Sequence, residues 1–153
     1  MRAAEGGHLP VVDRLLERGA DPSAADKYDR TALMLAAEGG HLPVVKRLLE
    51  HRADPSAADI YGLTALMRAA KGGHLPVVER LLERGVDPSA ADKDDGRTAL
   101  MSAAGGGHLP VVERLLERGA DPSAATEKDM TALMLAAEGG HLQVVERLRT
   151  AIA

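Results

Sequence analysis

An internal repeat with a period of about 33 residues dominates this sequence and limits the folds open to it. The tripeptide Gly-His-Leu recurs at intervals of 33, 33, 34 and 33 residues, with its histidine at His8, His41, His74, His108 and His141. Two further markers recur in the same phase, namely Thr-Ala-Leu-Met from Thr31, Thr64, Thr98 and Thr131, and Asp-Pro-Ser-Ala from Asp21, Asp54, Asp87 and Asp121. Self-similarity at this period indicates stacked units that bury their apolar faces against their neighbours rather than one globular core.

Five units cover the chain, and we expect them to form a single domain. The first unit, residues 1–25, is truncated, and the second and third units span 26–58 and 59–91. The fourth unit, 92–125, contains a one-residue insertion. The fifth unit, 126–153, resembles a polar C-terminal cap, because Arg and Gln replace Leu and Pro of the other units.

Each unit has the pattern of two helices and a loop. Thr31 suits a helix N-cap, and the apolar positions after it share one face of a short helix that ends near Gly39 and Gly40. Pro43 suits the first turn of a second helix, whose two rows of Val and Leu face both neighbouring units. Helix one packs through Ala and helix two through larger residues, so the units should lie closer on the helix-one side. The sequence therefore predicts an all-α solenoid that is concave toward helix one and the loops.

A glycine follows helix two in three units, at Gly19, Gly85 and Gly119. It supplies a left-handed residue that ends the helix. Arg52 occupies this position in the second unit, at an expected cost of about 1 kcal/mol.

The motifs resemble the ankyrin repeats over all 153 residues. Residues 31–37, Thr-Ala-Leu-Met-Leu-Ala-Ala, are similar to the family's Thr-Pro-Leu-His-x-Ala motif, and Gly40-His41, Val44-Val45 and Leu48-Leu49 follow in the same order. Ala replaces the usual Pro, and Met34, Met67, Met101 and Met134 replace the usual His, so thioether packing replaces a hydrogen bond typical of that histidine. The resemblance implies an ankyrin-type solenoid that binds a partner protein, without catalysis, through its loop tips and helix one.

The composition excludes several other function classes. The chain has no Cys, which removes disulfides, thiolate metal sites and Cys nucleophiles and makes the cytosol the expected compartment. A net charge of −4 opposes binding to nucleic acid or an anionic membrane, and no apolar run approaches the roughly 18 residues of a membrane span. No pair of titratable groups is placed for acid–base work, so we expect neither an enzyme nor a cofactor.

The repeated histidines predict a structural role rather than a metal site. Neighbouring units stack at about 8–10 Å, which is too far apart to share an ion bound at about 2 Å. The run from Asp92 to Gly96 resembles an acidic calcium loop, but its glycine comes one residue early and the closing Glu is missing. We therefore expect no metal ion.

Variation among the units is concentrated in the loop before Thr and on helix one, whereas helix two barely changes. Tyr28 and Tyr61 share one repeat phase, beside apolar residues at neighbouring turn positions. Exposed apolar residues cluster at binding sites, and Tyr and Arg are frequent interface anchors. We therefore predict a protein-binding site formed by Lys27, Tyr28, Arg30, Ile60, Tyr61, Leu63, Arg68, Lys71 and Met130. The alternative interpretation is free drift of the turn residues, with two tyrosines in phase by coincidence.

The origin and the N-terminal end leave alternatives open. A constant scaffold with variable surface positions resembles designed ankyrin binders, and recent natural duplication followed by divergence would look similar. The first unit lacks its loop and half of helix one, which leaves apolar helix-two surface thinly covered. We expect this end to form a homo-oligomer, or the chain to be cut from a longer array. The alternative function is therefore an engineered or structural scaffold without a target.

Overall fold

The computed structural model describes residues 1–153 as ten α-helices joined by turns, with no strands. In chain order the helices are α1 (Arg2–Glu5), α2 (Leu9–Glu17), α3 (Ala32–Glu38), α4 (Leu42–Glu50), α5 (Ala65–Gly72), α6 (Leu75–Glu83), α7 (Ala99–Gly105), α8 (Leu109–Glu117), α9 (Ala132–Glu138) and α10 (Leu142–Ile152). Odd-numbered helices are helix one of each unit, and even-numbered helices are helix two. Each helix packs on its partner within the unit and on its counterparts in the adjoining units. The predicted all-α solenoid is confirmed.

Threonine begins helix one in four units, as predicted. Thr31, Thr64, Thr98 and Thr131 each accept a hydrogen bond at the side-chain hydroxyl from the backbone N–H three residues later, at 3.3–3.4 Å. This bond satisfies one of the N–H groups that a helix start leaves unpaired. The helices that follow bury small Ala residues, and they contact one another across units more closely than the helix-two helices do. The units therefore lie closer together on the helix-one side, which makes that side the concave one.

Helix two faces both neighbouring units, and the first unit shows which row of side chains faces the preceding one. Val11 and Leu15 are 50% and 47% exposed, whereas their counterparts Val44 and Leu48 are 1% and 2% exposed. The other row, which includes Leu16, is buried against the following unit. The prediction that apolar helix-two surface is thinly covered in the first unit is confirmed.

At the C-terminal end, the row that would face a following unit carries Arg149, which is exposed. Met134 and Leu142 are also exposed there, so this face is mixed rather than uniformly polar. No helix in the chain combines the length and the apolar character needed to cross a membrane.

The repeated histidines join neighbouring units. The Nε2 of His74 donates a hydrogen bond to the carbonyl oxygen of Glu38 in the preceding unit, at 2.9 Å. His41, His108 and His141 bond in the same way to the preceding units, at 2.9–3.0 Å. The His74 ring also lies directly against Gly40, where an added Cβ would be 2.5 Å from its Nδ1. The structural role predicted for these residues is confirmed, and the packing of each ring explains the glycine before His in the first four units.

Replacing Arg52 with glycine should stabilise the chain by about 1 kcal/mol. Arg52 has a φ of 66° in the left-handed region, and the corresponding Gly85 has a φ of 79°. Glycine adopts this backbone without the steric penalty of a Cβ. Urea denaturation should show the gain for Arg52→Gly but not for the control Arg18→Gly, whose φ is −85°. An Arg52→Gly variant no more stable than the parent would contradict the strain assigned to this residue.

Candidate functional site

The loop before helix one is held in shape by one side chain at its start. In the third unit, Oδ1 of Asp59 accepts hydrogen bonds from the backbone N–H groups of Tyr61 and Leu63, at 2.9 and 3.0 Å. Asp26 and Asp92 hold two N–H groups of their own loops in the same way. This role is not among the predictions from the sequence, although the recurrence of Asp26, Asp59 and Asp92 at one phase is a signal for it. These bonds fix the direction in which the variable residues project.

Neighbouring loops are also bonded to one another through their backbones. The carbonyl oxygen of Tyr28 accepts from the N–H of Ile60 at 3.1 Å, and that of Tyr61 accepts from Lys93 at 2.9 Å. A third bond joins Asp95 to Glu127 at 2.8 Å. The segments 27–29, 60–62, 93–95 and 127–129 thus form one continuous row, which we call the loop-tip row. Its first half exposes apolar side chains, and its second half carries mostly charged ones.

The apolar half of the loop-tip row contains four of the predicted site residues. Tyr28, Ile60 and Tyr61 are all exposed, and it is their grouping on adjacent loop tips that is informative. Lys27 is exposed too, with its Nζ 4.8 Å from the centre of the Tyr28 ring. Because the backbone bond between the two tips places these segments side by side, their side chains offer one surface to a partner.

Arg30 lies just behind this surface and is engaged within its own loop. Its guanidinium pairs with the Asp26 carboxylate at 2.7 Å and lies 5.5 Å from the centre of the Tyr28 ring. The side-chain hydrogen bond from Arg30 lowers the pKa of Asp26 below its ordinary value. Arg30 therefore supports the Tyr28 loop and its ring from one side.

Arg68 is largely enclosed by acidic side chains. Its Nη2 donates to Asp59 at 2.5 Å and its Nη1 to Glu38 at 2.8 Å, while its Nε is buried without a partner. The side chains of Arg68 and Asp59 are 12% and 1% exposed. Arg68 thus ties the loop that presents Ile60 and Tyr61 to helix α5 and to the preceding unit.

A groove of about 400 Å³ opens on the helix-one side beside Arg68. It is lined by Glu38, Leu63, Met67, Arg68, Lys71, Gly72, Arg97 and Ser102. Three predicted site residues meet here, whereas Arg97 and Ser102 were not predicted from the sequence. Leu63 is half-buried and packs against the core, so it forms a wall of the groove rather than a free loop tip.

Met130 stands apart from the other predicted site residues. It lies in the last loop, is half-buried and does not line the groove. Its backbone N–H donates to Oγ1 of Thr126 at 3.2 Å, and Thr126 also accepts from Lys128 at 3.3 Å. Thr126 therefore holds this loop in the way that Asp59 holds the loop of the third unit. The predicted set divides into loop-tip residues, with Arg30 supporting them from behind, groove residues and this one outlier.

Comparison with known proteins agrees with the geometry. A family model described as ankyrin repeats, with three copies, matches residues 1–92 and 87–152, which together cover almost the whole chain. No curated protein matches the chain significantly in sequence. Ankyrin repeats generally mediate protein–protein interaction, and the family is typically non-catalytic. On the family match and the helix-pair solenoid together, the chain belongs to the ankyrin repeat family.

Proposed function

We propose that the chain is a non-catalytic protein-binding module that holds a partner protein against its loop-tip row and helix-one side. The observation that carries this proposal is the placement of Tyr28, Ile60 and Tyr61, which are large, exposed and adjacent while packing makes no use of them. Apolar and aromatic side chains of this kind commonly supply the strongest contacts in protein interfaces. Hydrogen bonds within and between the loops already hold their backbone, so binding a partner does not have to order these loops.

The chemistry of the chain favours a protein as the partner. Its net charge of −4 opposes attraction to nucleic acid and to anionic membranes, and the absence of Cys is compatible with a reducing compartment such as the cytosol. Constant helices carrying variable tips also fit a scaffold whose surface was diversified, whether by design or by duplication. The proposal needs only that the tips and helix one contact the partner.

Changing Ile60 and Tyr61 together to alanine should weaken capture of a protein partner about tenfold or more. Both side chains are exposed, so the melting temperature should stay close to that of the parent. A partner found by affinity capture and mass spectrometry is to be purified and titrated against both forms. The matched control is Val11→Ala with Leu15→Ala, which removes exposed apolar side chains on the N-terminal face of the stack.

The two variants separate the binding proposal from its alternatives. If the partner binds through the loop-tip row, the Ile60 and Tyr61 variant should lose affinity for it and the control should not. Unchanged affinity in the Ile60 and Tyr61 variant would contradict the proposal. A loss of affinity in the control alone would show that the partner binds the N-terminal face instead.

A second candidate is self-association through the N-terminal face, as in a scaffold without a separate target. Val11 and Leu15 are exposed in a row that is buried in every later unit, beside a pocket lined mainly by apolar residues. Burying such a row against a second copy would remove apolar area from water. Sedimentation should show association that Val11→Glu with Leu15→Glu abolishes, whereas a monomer at high concentration would reject this candidate.

A further inference from the structure

The groove beside Arg68 arises from a local gap in side-chain size along the stack. Ser102 of the fourth unit occupies the position filled by Leu35 and Leu135 in other units, and Gly105 occupies the position of Glu38. An added Cβ at Gly105 would meet only the Cβ of Leu135, at an ordinary 3.8 Å. Packing therefore leaves room for larger residues on this face of α7, and of the two small residues Ser102 lines the groove together with Lys71.

The charged side chains of the groove are unequally paired. Arg68 already pairs with two carboxylates, those of Asp59 and Glu38. Lys71 has no anion within ion-pair distance, and Arg97 approaches only Asp95, at 3.9 Å. Lys71 is thus exposed and unpaired, and Arg97, also exposed, is only loosely paired. An anion between them would gain more than one placed beside any other lining residue.

The surrounding acids limit how much negative charge the groove accepts. Glu38 lines it, and Asp59 and Asp95 lie next to its two arginines. Arg68 is already occupied and Arg97 is loosely paired with Asp95, so a dianion such as a phosphate would face these carboxylates with Lys71 as the one unpaired cation. A single carboxylate matches the free charge better. Leu63 and Met67, also in the lining, provide apolar carbon for the methylene groups that carry such a carboxylate.

We infer that this groove binds an Asp or Glu side chain of the partner protein, with the carboxylate between Lys71 and Arg97 and its methylene groups toward Leu63. The inference rests on the proposed function, because it names the chemistry that the partner offers to the helix-one side. The loop-tip row supplies apolar contacts, and the groove adds a charged contact that fixes the register of the partner beside them. The partner segment is therefore acidic where it crosses from the third unit to the fourth.

The test uses the full chain labelled with ¹⁵N and three blocked pentapeptides, Ala-Leu-Glu-Leu-Ala and its central Gln and phosphoserine versions. At low ionic strength the Glu peptide should shift amide signals near Lys71, Arg97 and Ser102. It should bind about fivefold more tightly than the Gln peptide, as one ion pair predicts. Added salt should reduce this difference.

Charge reversal supplies the matched comparison. Lys71→Glu with Arg97→Glu should abolish the preference for Glu over Gln, whereas Arg18→Glu with Arg118→Glu, the same charge change at exposed sites directly after helix two, should retain it. Equal binding of the Glu and Gln peptides, no binding by either, or a preference that survives the groove reversal would overturn the inference. Stronger binding of the phosphoserine peptide would overturn it in favour of a phosphate site. If these peptides fail while Ile60→Ala with Tyr61→Ala still weakens capture, the groove inference falls and the proposed function stands.

Discussion

Replacing Arg68 with leucine should lower the free energy of unfolding by about 2–3 kcal/mol. Removing one member of a buried ion pair commonly costs about 3–5 kcal/mol, because the remaining charge stays buried without its partner. Asp59 is 1% exposed, but its carboxylate still accepts hydrogen bonds from two backbone N–H groups. The expected loss of stability is therefore at or below the low end of that range. Glu38 is mostly exposed, so loss of its ion pair with Arg68 adds little to the loss of stability. Leucine fits this position sterically, since Leu35 and Leu135 occupy it in other units.

A second substitution should restore most of that loss. Thr126 holds the loop of the fifth unit by accepting hydrogen bonds from two backbone N–H groups, without a buried charge. Asp59→Thr should do the same in the loop of the third unit. The double variant Arg68→Leu with Asp59→Thr should therefore be more stable than Arg68→Leu alone. Urea denaturation of the parent, both single variants and the double variant measures the coupling. A double variant no better than Arg68→Leu would show that the buried charge is not the cause.

Replacing Gly73 with alanine should destabilise the chain by about 2–4 kcal/mol. Gly73 has a φ of 71°, and an added Cβ would lie 2.5 Å from Nδ1 of His108. Displacing that ring also strains the hydrogen bond that His108 donates to the Lys71 carbonyl at 3.0 Å. The cost thus combines left-handed backbone strain with overpacking at the junction of two units.

Gly85 provides the control for this substitution. Its φ is 79°, but an added Cβ would have no atom within 4 Å. Gly85→Ala should therefore cost only the backbone term of about 1 kcal/mol. Thermal or urea unfolding of the two variants separates the contributions. Equal losses would mean that the histidine ring does not fill the space over Gly73.

Periodicity makes the fold of this chain predictable from its amino-acid sequence. The phase of the Thr and Gly-His motifs locates both helices of each unit, and the left-handed backbone at Arg52 follows from its alignment with glycine. A structural role for His74 is predictable from its recurrence in one local motif, but only the structure reveals its hydrogen bond to the Glu38 carbonyl of the preceding unit. The distance between units, by contrast, comes only from how Ala and Val pack in three dimensions.

The candidate site is less predictable, because exposure cannot be read from variability. Ile60 and Leu63 are both apolar and variable, yet the first is exposed and the second packs against the core. Arg68 and Asp59 are nine residues apart, and only the path of the loop brings them together. The groove likewise depends on the small Ser102 of the fourth unit lying beside the longer Arg68 and Lys71 of the third unit.

A partner that binds as proposed contacts the loop tips and helix one rather than helix two. Amide hydrogen exchange of the chain, measured with and without a captured partner, distinguishes these two surfaces. We expect slower exchange in the complex at residues 26–30 and 59–63 and along α5, with α6 and α8 unchanged. Protection confined to helix two, or to α2 at the N-terminal face, would contradict the proposed binding surface.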